Sequence, residues 1–504
     1  MTQISKREAL RLAAALAVVA ITTTAEAQQA GGDWRLPSDD EIRRLIAARN
    51  APRPGQGIVI GILGPEGERI VAGGTGAGAG FDSTTVFEIG SITKVFTALL
   101  LADMTNKGEV SLDDPAAKYL PAGHRMPERG GRPITLTDLA THRSGLPRMA
   151  DDMWAVSHPD GQFADYTEER LLAFLDRHQL TREPGAQFEY SNLGMGLVGY
   201  LLTRVAGSDY ETLVRTRITG PLRMNDTMIT LPPSHAARLA APFSTYMRPV
   251  KPIRMAALAG AGAIRSTVAD MLIFARALLD STSPVAPALK TALSVRRPGE
   301  KPWIEQALGW LVRRLPGREL LMHNGQSYGF SSILILEPAK GRAVVALVNS
   351  AAEPGPEDLA FNIVGGQRVA PTPAVPPTPA PFVPRTEISL PVAELDKVAG
   401  RYDFGPGFVL AITRDGGYLY AQREGVPGAV RLQIVPEAAL AFFWKAMDAQ
   451  IRFTTDASGM VTGAILTQGR QMVGRRVAPE LTARGGGWLA ALDDFRNWLI
   501  REAA

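Results

Sequence analysis

From Pro371 to Pro384 the sequence reads PTPAVPPTPAPFVP, and seven of these fourteen residues are proline. Proline fixes φ and has no N–H to donate, so neither a helix nor a central strand can run through such a stretch. The 504 residues must therefore fold as something before it and something after it. We read it as an extended, semi-rigid spacer, with a loop wrapped over the first unit as the alternative. The expected division is 34–366 for the first unit, 367–388 for the spacer, 389–478 for the second unit and 479–504 for a tail.

Before the spacer, two strand pairs bracket a long helical middle. IVIGIL, the turn GPEGE and RIVAGG make one hairpin, and SSILILEP, AKG and RAVVALV make another near residue 340. Between them, ITKVFTALLLADM, TEERLLAFLDR, LGMGLVGYLLTRVA and VADMLIFARALL carry apolar residues at helical spacing. Terminal strands around a helical insertion predict an α+β design, with helices segregated against an antiparallel sheet, rather than alternating β-α-β. After the spacer, FVLAITRDGGYLYAQ, RLQIVP and AQIRFTTDASGMVTGAILTQ read as short strands, with Asp415-Gly416 and Ser458-Gly459 at hairpin turns. That pattern predicts a small antiparallel sandwich or barrel.

The two ends read differently. Lys6, Arg7 and Arg11 precede the apolar run Leu12 to Ile21, and Ala25-Glu26-Ala27 fits an A-x-A cleavage site. Residues 1–27 are thus expected to be a secretory signal, giving a periplasmic or secreted protein. The run is shorter than the roughly 20 residues a membrane span needs, and an anchor or a buried helix is the alternative. Ser5-Lys6-Arg7 is too slight a match to the twin-arginine pattern to choose the export route. In the tail, Trp488, Leu492, Phe495 and Leu499 would line one face of a helix docked on the body.

No cysteine occurs, which excludes disulfides, thiol nucleophiles and thiolate metal sites. Nucleophilic catalysis here must use oxygen or nitrogen. The formal charge of +4, of which the signal carries +1, predicts no polyanionic partner, and the pairs Arg313-Arg314 and Arg475-Arg476 are isolated.

The stretch HNGQSYG, 323–329, contains two possible sites. Gly325 to Gly329 matches the nucleophile-elbow pattern G-x-S-x-G, with Ser327 as nucleophile. An elbow needs a following helix and a later histidine. The six histidines are His124, His142, His158, His178, His235 and His323, so none follows Ser327, and FSSILILEP after it is a strand pattern. The elbow reading fails on both counts.

A serine can instead be activated by a lysine of lowered pKa. Ser91-Ile92-Thr93-Lys94 is the one S-x-x-K in the chain, at the start of an apolar helical run. Residues three apart share a helix face, which sets the hydroxyl beside the amine. Tyr190-Ser191-Asn192 offers a second proton carrier and an amide that could hold Lys94 and a substrate carbonyl together. A cation beside Tyr190 would ease its ionisation below the reference pKa of about 10. The alternative makes Tyr190 a half-buried loop aromatic and Asn192 a helix cap. His323-Asn324-Gly325 would bring a side chain to the substrate and, past the small Gly325, the backbone N–H of Gln326 to an oxyanion, with the N–H of Ser91 as first donor. Taken alone, His323 reads more often as a satisfied structural histidine.

In this order, Ser91-x-x-Lys94, Tyr190-x-Asn192 and His323-x-Gly325 resemble the class C β-lactamase and DD-carboxypeptidase family of penicillin-recognising serine hydrolases, which also contains esterases and D-amino-acid peptidases. ITLTDLATHRSGLP, EPGAQFEYSNLG and GAGAIRSTVADMLIFARALL resemble it too, over roughly residues 40–350. The resemblance implies a β-lactamase-like domain, attack by Ser91, proton transfer by Lys94 and Tyr190, an acyl-enzyme, and its release by water with Tyr190 as activator. It implies no cofactor and no metal, and no H-E-x-x-H or clustered His/carboxylate set is present. The β-lactamases of this family carry lysine in the third motif; histidine there is similar to the peptidase and esterase branches. The segment after the spacer resembles the lipocalin-like β-domain found in D-amino-acid-specific peptidases of the family. The expected ligand is a small molecule or short peptide, with no nucleic acid and no membrane span after signal removal; a homo-oligomer is left open. A penicillin-binding sensor without turnover is the alternative that is not an enzyme.

Overall fold

The computed structural model of the protein describes residues 35–477, apart from 75–79, 154–162, 376–384, 406–407, 426–430, 445–448 and 469. The expected signal, the tail helix and the second half of the proline stretch lie outside the described residues.

Alternation along a strand sends successive side chains to opposite faces, and GIVIGILG uses both. In this strand, β1 (Gly57–Gly64), all residues but the last are buried. It pairs on one side with β2 (Gly67–Gly74) and on the other with the strand β10 (Arg342–Val348), where Ile58 lies opposite Val348. Between them in sequence come a short separate pair, β3 (Phe87–Glu88) with β4 (Arg265–Ser266), then β5 (Arg297–Pro298), β6 (Ile304–Gln306), β7 (Leu311–Leu315), β8 (Arg318–Gln326) and β9 (Ser331–Glu337). The main sheet runs β2-β1-β10-β9-β8-β7-β6-β5, antiparallel throughout. The predicted α+β arrangement is the one found.

The helices that frame the sheet are α1 (Asp39–Asn50), α2 (Thr93–Asn106), α3 (Asn192–Ala206), α4 (Val268–Leu279) and α5 (Glu357–Gly365). Ile58, Ile60 and Ile62 face Ile42 and Ile46 of α1 and Leu359 and Ile363 of α5. Val59 and Leu63 face the larger core, which holds α2, α3 and α4. Within that core α2 is enclosed on almost every side, with Val95, Phe96, Leu99, Leu100 and Leu101 all fully buried. A polar side chain in the first turn of such a helix has no route to bulk water except past its own N-terminus. Among the described residues no helix is long and apolar enough to cross a membrane.

Past the proline stretch the chain closes a barrel of eight antiparallel strands, from β11 (Gly400–Asp403) to β18 (Arg470–Val477), with β18 pairing back onto β11. Tyr402, Ile434, Phe442, Ile451, Phe453 and Leu466 fill its interior. Of the two predicted architectures, sandwich or barrel, the barrel is observed. Its closing strands β11 and β18 and the three-residue β15 (Ala441–Phe443) were not anticipated, because RQMVGRRV alternates too many polar residues and AFF is too short to show a period. At the near end of the proline stretch Thr372 Oγ1 accepts from Arg49 Nε at 3.0 Å; at the far end Arg385 pairs with Glu437 at 2.9 Å. Arg431 of the barrel meets Asp151 of the first unit at 3.0 Å.

Candidate active site

A 3-10 turn, Gly90–Ile92, leads into α2 and carries Ser91, half-buried, at its middle. One turn on, Lys94 is fully buried. Its Nζ lies 2.8 Å from Ser91 Oγ, 2.8 Å from Asn192 Oδ1 and 2.7 Å from the Ala261 carbonyl. Burial, seconded by the positive charge of Arg148, holds the amine well below the usual lysine pKa. Once deprotonated, the amine keeps two N–H groups for Asn192 and Ala261 and a lone pair that can take the proton of Ser91.

Tyr190-Ser191-Asn192 reaches this point because Ser191, rather than Asn192, caps α3: its Oγ accepts from Gly194 N at 2.8 Å. Asn192 is free to turn Oδ1 to Lys94 and Nδ2 to Met149 Sδ, 3.4 Å away. The Tyr190 ring has Lys94 Nζ 5.0 Å and the Arg148 guanidinium 5.0 Å from its centroid. The eased ionisation expected of Tyr190 is reversed. Burial pushes the phenol up to about 12, against smaller opposite pulls from the Ser91 hydroxyl and Arg148. The cause is the burial of Tyr190 itself, which outweighs the neighbouring positive charge. Tyr190 is therefore a proton donor at neutral pH.

β8 carries the third motif, and alternation puts His323 and Gly325 on one face and Asn324 on the other, where its Nδ2 donates to Glu357 Oε1 at 2.9 Å. Gly325 lies so close to the turn before Ser91 that a Cβ there would stand 2.0 Å from the Ile89 carbonyl oxygen. Gly90 has φ +50°, and a Cβ on it would meet Gln326 N at 2.7 Å. Two missing side chains thus let the end of β8 close on the serine turn, bringing the Gln326 backbone beside Ser91. His323 is buried, and Nδ1 lies 2.6 Å from its neighbour's carbonyl, Asn324 O, while Nε2 has no partner among the described residues. Burial first and Lys94 second take its pKa down to about 3, so the ring is neutral. Its centre lies 6.4 Å from that of Tyr190.

A cavity of about 450 Å³ opens over Ser91, lined also by Asn192, Gln326, Ser327, Phe163 and Met255. Neither Tyr190 nor His323 lines it, so His323 does not present its side chain to this space in the way the sequence suggested. Two contributors were missed. His142 packs its ring 4.4 Å from that of Tyr190 and accepts the Ser191 N–H at 3.1 Å, and Arg148 covers the other approach to Tyr190. Both lie in or beside THRSGLP, a stretch that only pattern likeness had singled out. Ser327 lines the cavity, yet its hydroxyl sits beside the buried Glu88 carboxyl and its turn leads into β9, not a helix.

This arrangement sets a hydroxyl 2.8 Å from a buried amine of lowered pKa, with a phenol ring beside that amine and the Gln326 backbone beside the serine turn. Among known proteins, the chain is 34% identical over 203 residues to the D-alanyl-D-alanine-carboxypeptidase/endopeptidase AmpH of Escherichia coli (strain K12), which covers 39% of this chain and 50% of that protein. The chain thus spans about half the length of that relative. It is 24% identical to Penicillin-binding protein 4* of Bacillus subtilis (strain 168), over 74% of this chain and 83% of that one. The fold is shared with a beta-lactamase/D-alanine carboxypeptidase from Yersinia pestis, at TM-score 0.55 and 23% identity, over 65% of this chain and 96% of the other. A class C beta lactamase from Rhodobacter sphaeroides matches at the same TM-score and identity, over 65% and 98%. The Beta-lactamase family model matches residues 42–365, from α1 through α5, and with that match over most of its length the chain belongs to the Beta-lactamase family.

Proposed function

We propose that the protein is a serine hydrolase that cleaves amide or ester bonds through an acyl-enzyme, with small peptides, including those of D-amino acids, as its main substrates. The observation that carries this is Lys94: buried, held below its usual pKa, and 2.8 Å from Ser91 Oγ. In the first half-reaction Ser91 Oγ attacks the carbonyl carbon and its proton passes to Lys94 Nζ. The oxyanion is received by the N–H groups of Ser91 and Gln326, while Asn192 steadies Lys94 and the substrate amide. Tyr190 relays the proton to the departing amine or alcohol, leaving an ester on Ser91. Water then takes the leaving group's place, its proton passing through Tyr190 to Lys94 and on to the departing Ser91 Oγ, and the acid is released with the starting enzyme restored.

A neutral, buried His323 supplies no fixed positive charge where a lysine would, which favours peptides and esters over β-lactams. The printed activity of the Escherichia coli relative, on D-alanyl-D-alanine, points the same way. The basic and apolar pattern of residues 1–27 supports export to the periplasm or medium. A panel of L- and D-dipeptides, p-nitrophenyl esters and a cephalosporin, given to purified protein, ranks these substrates. Ser91→Ala should abolish hydrolysis of all of them, while Ser327→Ala keeps most activity. Loss of activity in a folded Ser327→Ala with Ser91→Ala active would overturn the assignment, and a cephalosporin burst without turnover would favour a penicillin-binding sensor.

A further inference from the structure

Two cavities meet at Arg148 and Met149. One is the space over Ser91; the other is a cleft of about 500 Å³ between the first unit and the barrel, lined also by Arg177, Arg182, Asp415 and Arg431. The arginines of that cleft differ in how they are matched. Arg177 pairs with Asp151 at 2.7 Å and Asp152 at 3.1 Å, Arg431 with Asp151 at 3.0 Å and Asp415 at 3.4 Å, and Arg182 with Glu189. Arg148 is exposed and, among the described residues, has no acidic partner; its guanidinium is held only against the Tyr190 ring. A guanidinium stays charged at any working pH and presents five N–H donors in a fixed fork that fits a carboxylate. Lys94 and His323 do not offer this, since both are buried and burial disfavours their charged forms. Among the described residues, the neck between the two cavities therefore carries a permanent charge without an acidic partner, lining the same cavity as Ser91.

We propose that Arg148 determines specificity by binding a carboxylate on the substrate, so that the preferred substrates are acids whose charged group lies at the neck between the two cavities. This rests on the hydrolase reading for turnover but not for binding, and the test separates the two. Mono-p-nitrophenyl glutarate and its neutral methyl ester differ only in that charge. The intact protein should prefer the acid, and Arg148→Gln should lower the acid-to-neutral ratio of kcat/KM by about ten-fold or more, with Arg148→Lys keeping part of it. Taking the ratio removes any effect of Arg148 on Lys94 or Tyr190, which falls on both esters alike. In parallel, Ser91→Ala is titrated calorimetrically with an N-acetyl dipeptide acid and the matching dipeptide amide. Tighter binding of the acid, lost in Ser91→Ala/Arg148→Gln, supports the inference even if neither ester is hydrolysed. An acid-to-neutral ratio unchanged by Arg148→Gln, or equal binding of acid and amide, overturns it.

Discussion

At the scale of single residues, the chemistry turns on which groups lose their charge when buried. Lys94 titrates below the ordinary lysine range, so kcat/KM should rise with pH as it gives up its proton and level off above its pKa. Lys94→Arg cannot give up that proton and should lose about 10²–10⁴ of the rate, with no such limb in its pH profile. Two buried histidines and a half-buried one add a stability effect of definite sign. His323 folds with its pKa near 3, His178 near 4 and His142 well below 6.5, in each case chiefly through burial. Unfolded, each takes a proton at about pH 6.5. Stability is therefore full above that pH and falls as pH drops through the window down to about 4, because only the unfolded chain binds those protons. Urea midpoints at pH 7, 6, 5 and 4 should decline in that order, and the triple replacement His142→Gln/His178→Gln/His323→Gln should flatten the decline. Ser91, Lys94, Tyr190 and Asn192 could be picked from sequence because their spacing matches a chemical need. The direction of the Tyr190 shift could not, since it depends on how deeply the fold buries the phenol.

At the scale of elements, the site exists because a strand end and a helix start approach closer than side chains ordinarily permit. Gly325→Ala would place a methyl 2.0 Å from the Ile89 carbonyl oxygen, so β8 and the serine turn must part. A displacement of about 1 Å at a reacting group costs on the order of 10²-fold, and kcat for a p-nitrophenyl ester should fall by that much. A thermal melt should show a lower Tm as well. The long helices were legible from their apolar runs at helical spacing, and VADMLIFARALL is found as α4 over the residues that its pattern marks. Likewise the β12 (Val409–Asp415) and β13 (Tyr418–Arg423) hairpin was legible from its Gly416 turn. β11 and β18 were not, since barrel closure is a long-range event that no local period announces. His142 escaped notice for the same reason: it becomes part of the site only when its turn meets the start of α3.

For the molecule as a whole, Asp151 is shared: it accepts from Arg177 at 2.7 Å within the first unit and from Arg431 at 3.0 Å on the barrel. Asp151→Asn should loosen the barrel by no more than about 1 kcal/mol, and less at high salt. Faster hydrogen exchange in β14 (Leu432–Ala438), with the main sheet unchanged, is the expected readout. The barrel has no open edge, since β18 returns to β11, and so offers no row of unpaired backbone groups to a neighbouring chain. The main sheet has a different history to satisfy. β1 finds one of its two neighbours only in β10, so Ile58 must wait for Val348 to be made. A nascent chain that already carries Ser91, Lys94, Tyr190 and Asn192 still lacks the strand against which its first hairpin packs. Closing so long a loop is slow, and until then the apolar run IVIGIL is exposed to self-association. Synthesis of β10, not of the segments that carry Ser91, Lys94, Tyr190 and Asn192, sets the moment at which the nascent main sheet can close over its apolar hairpin.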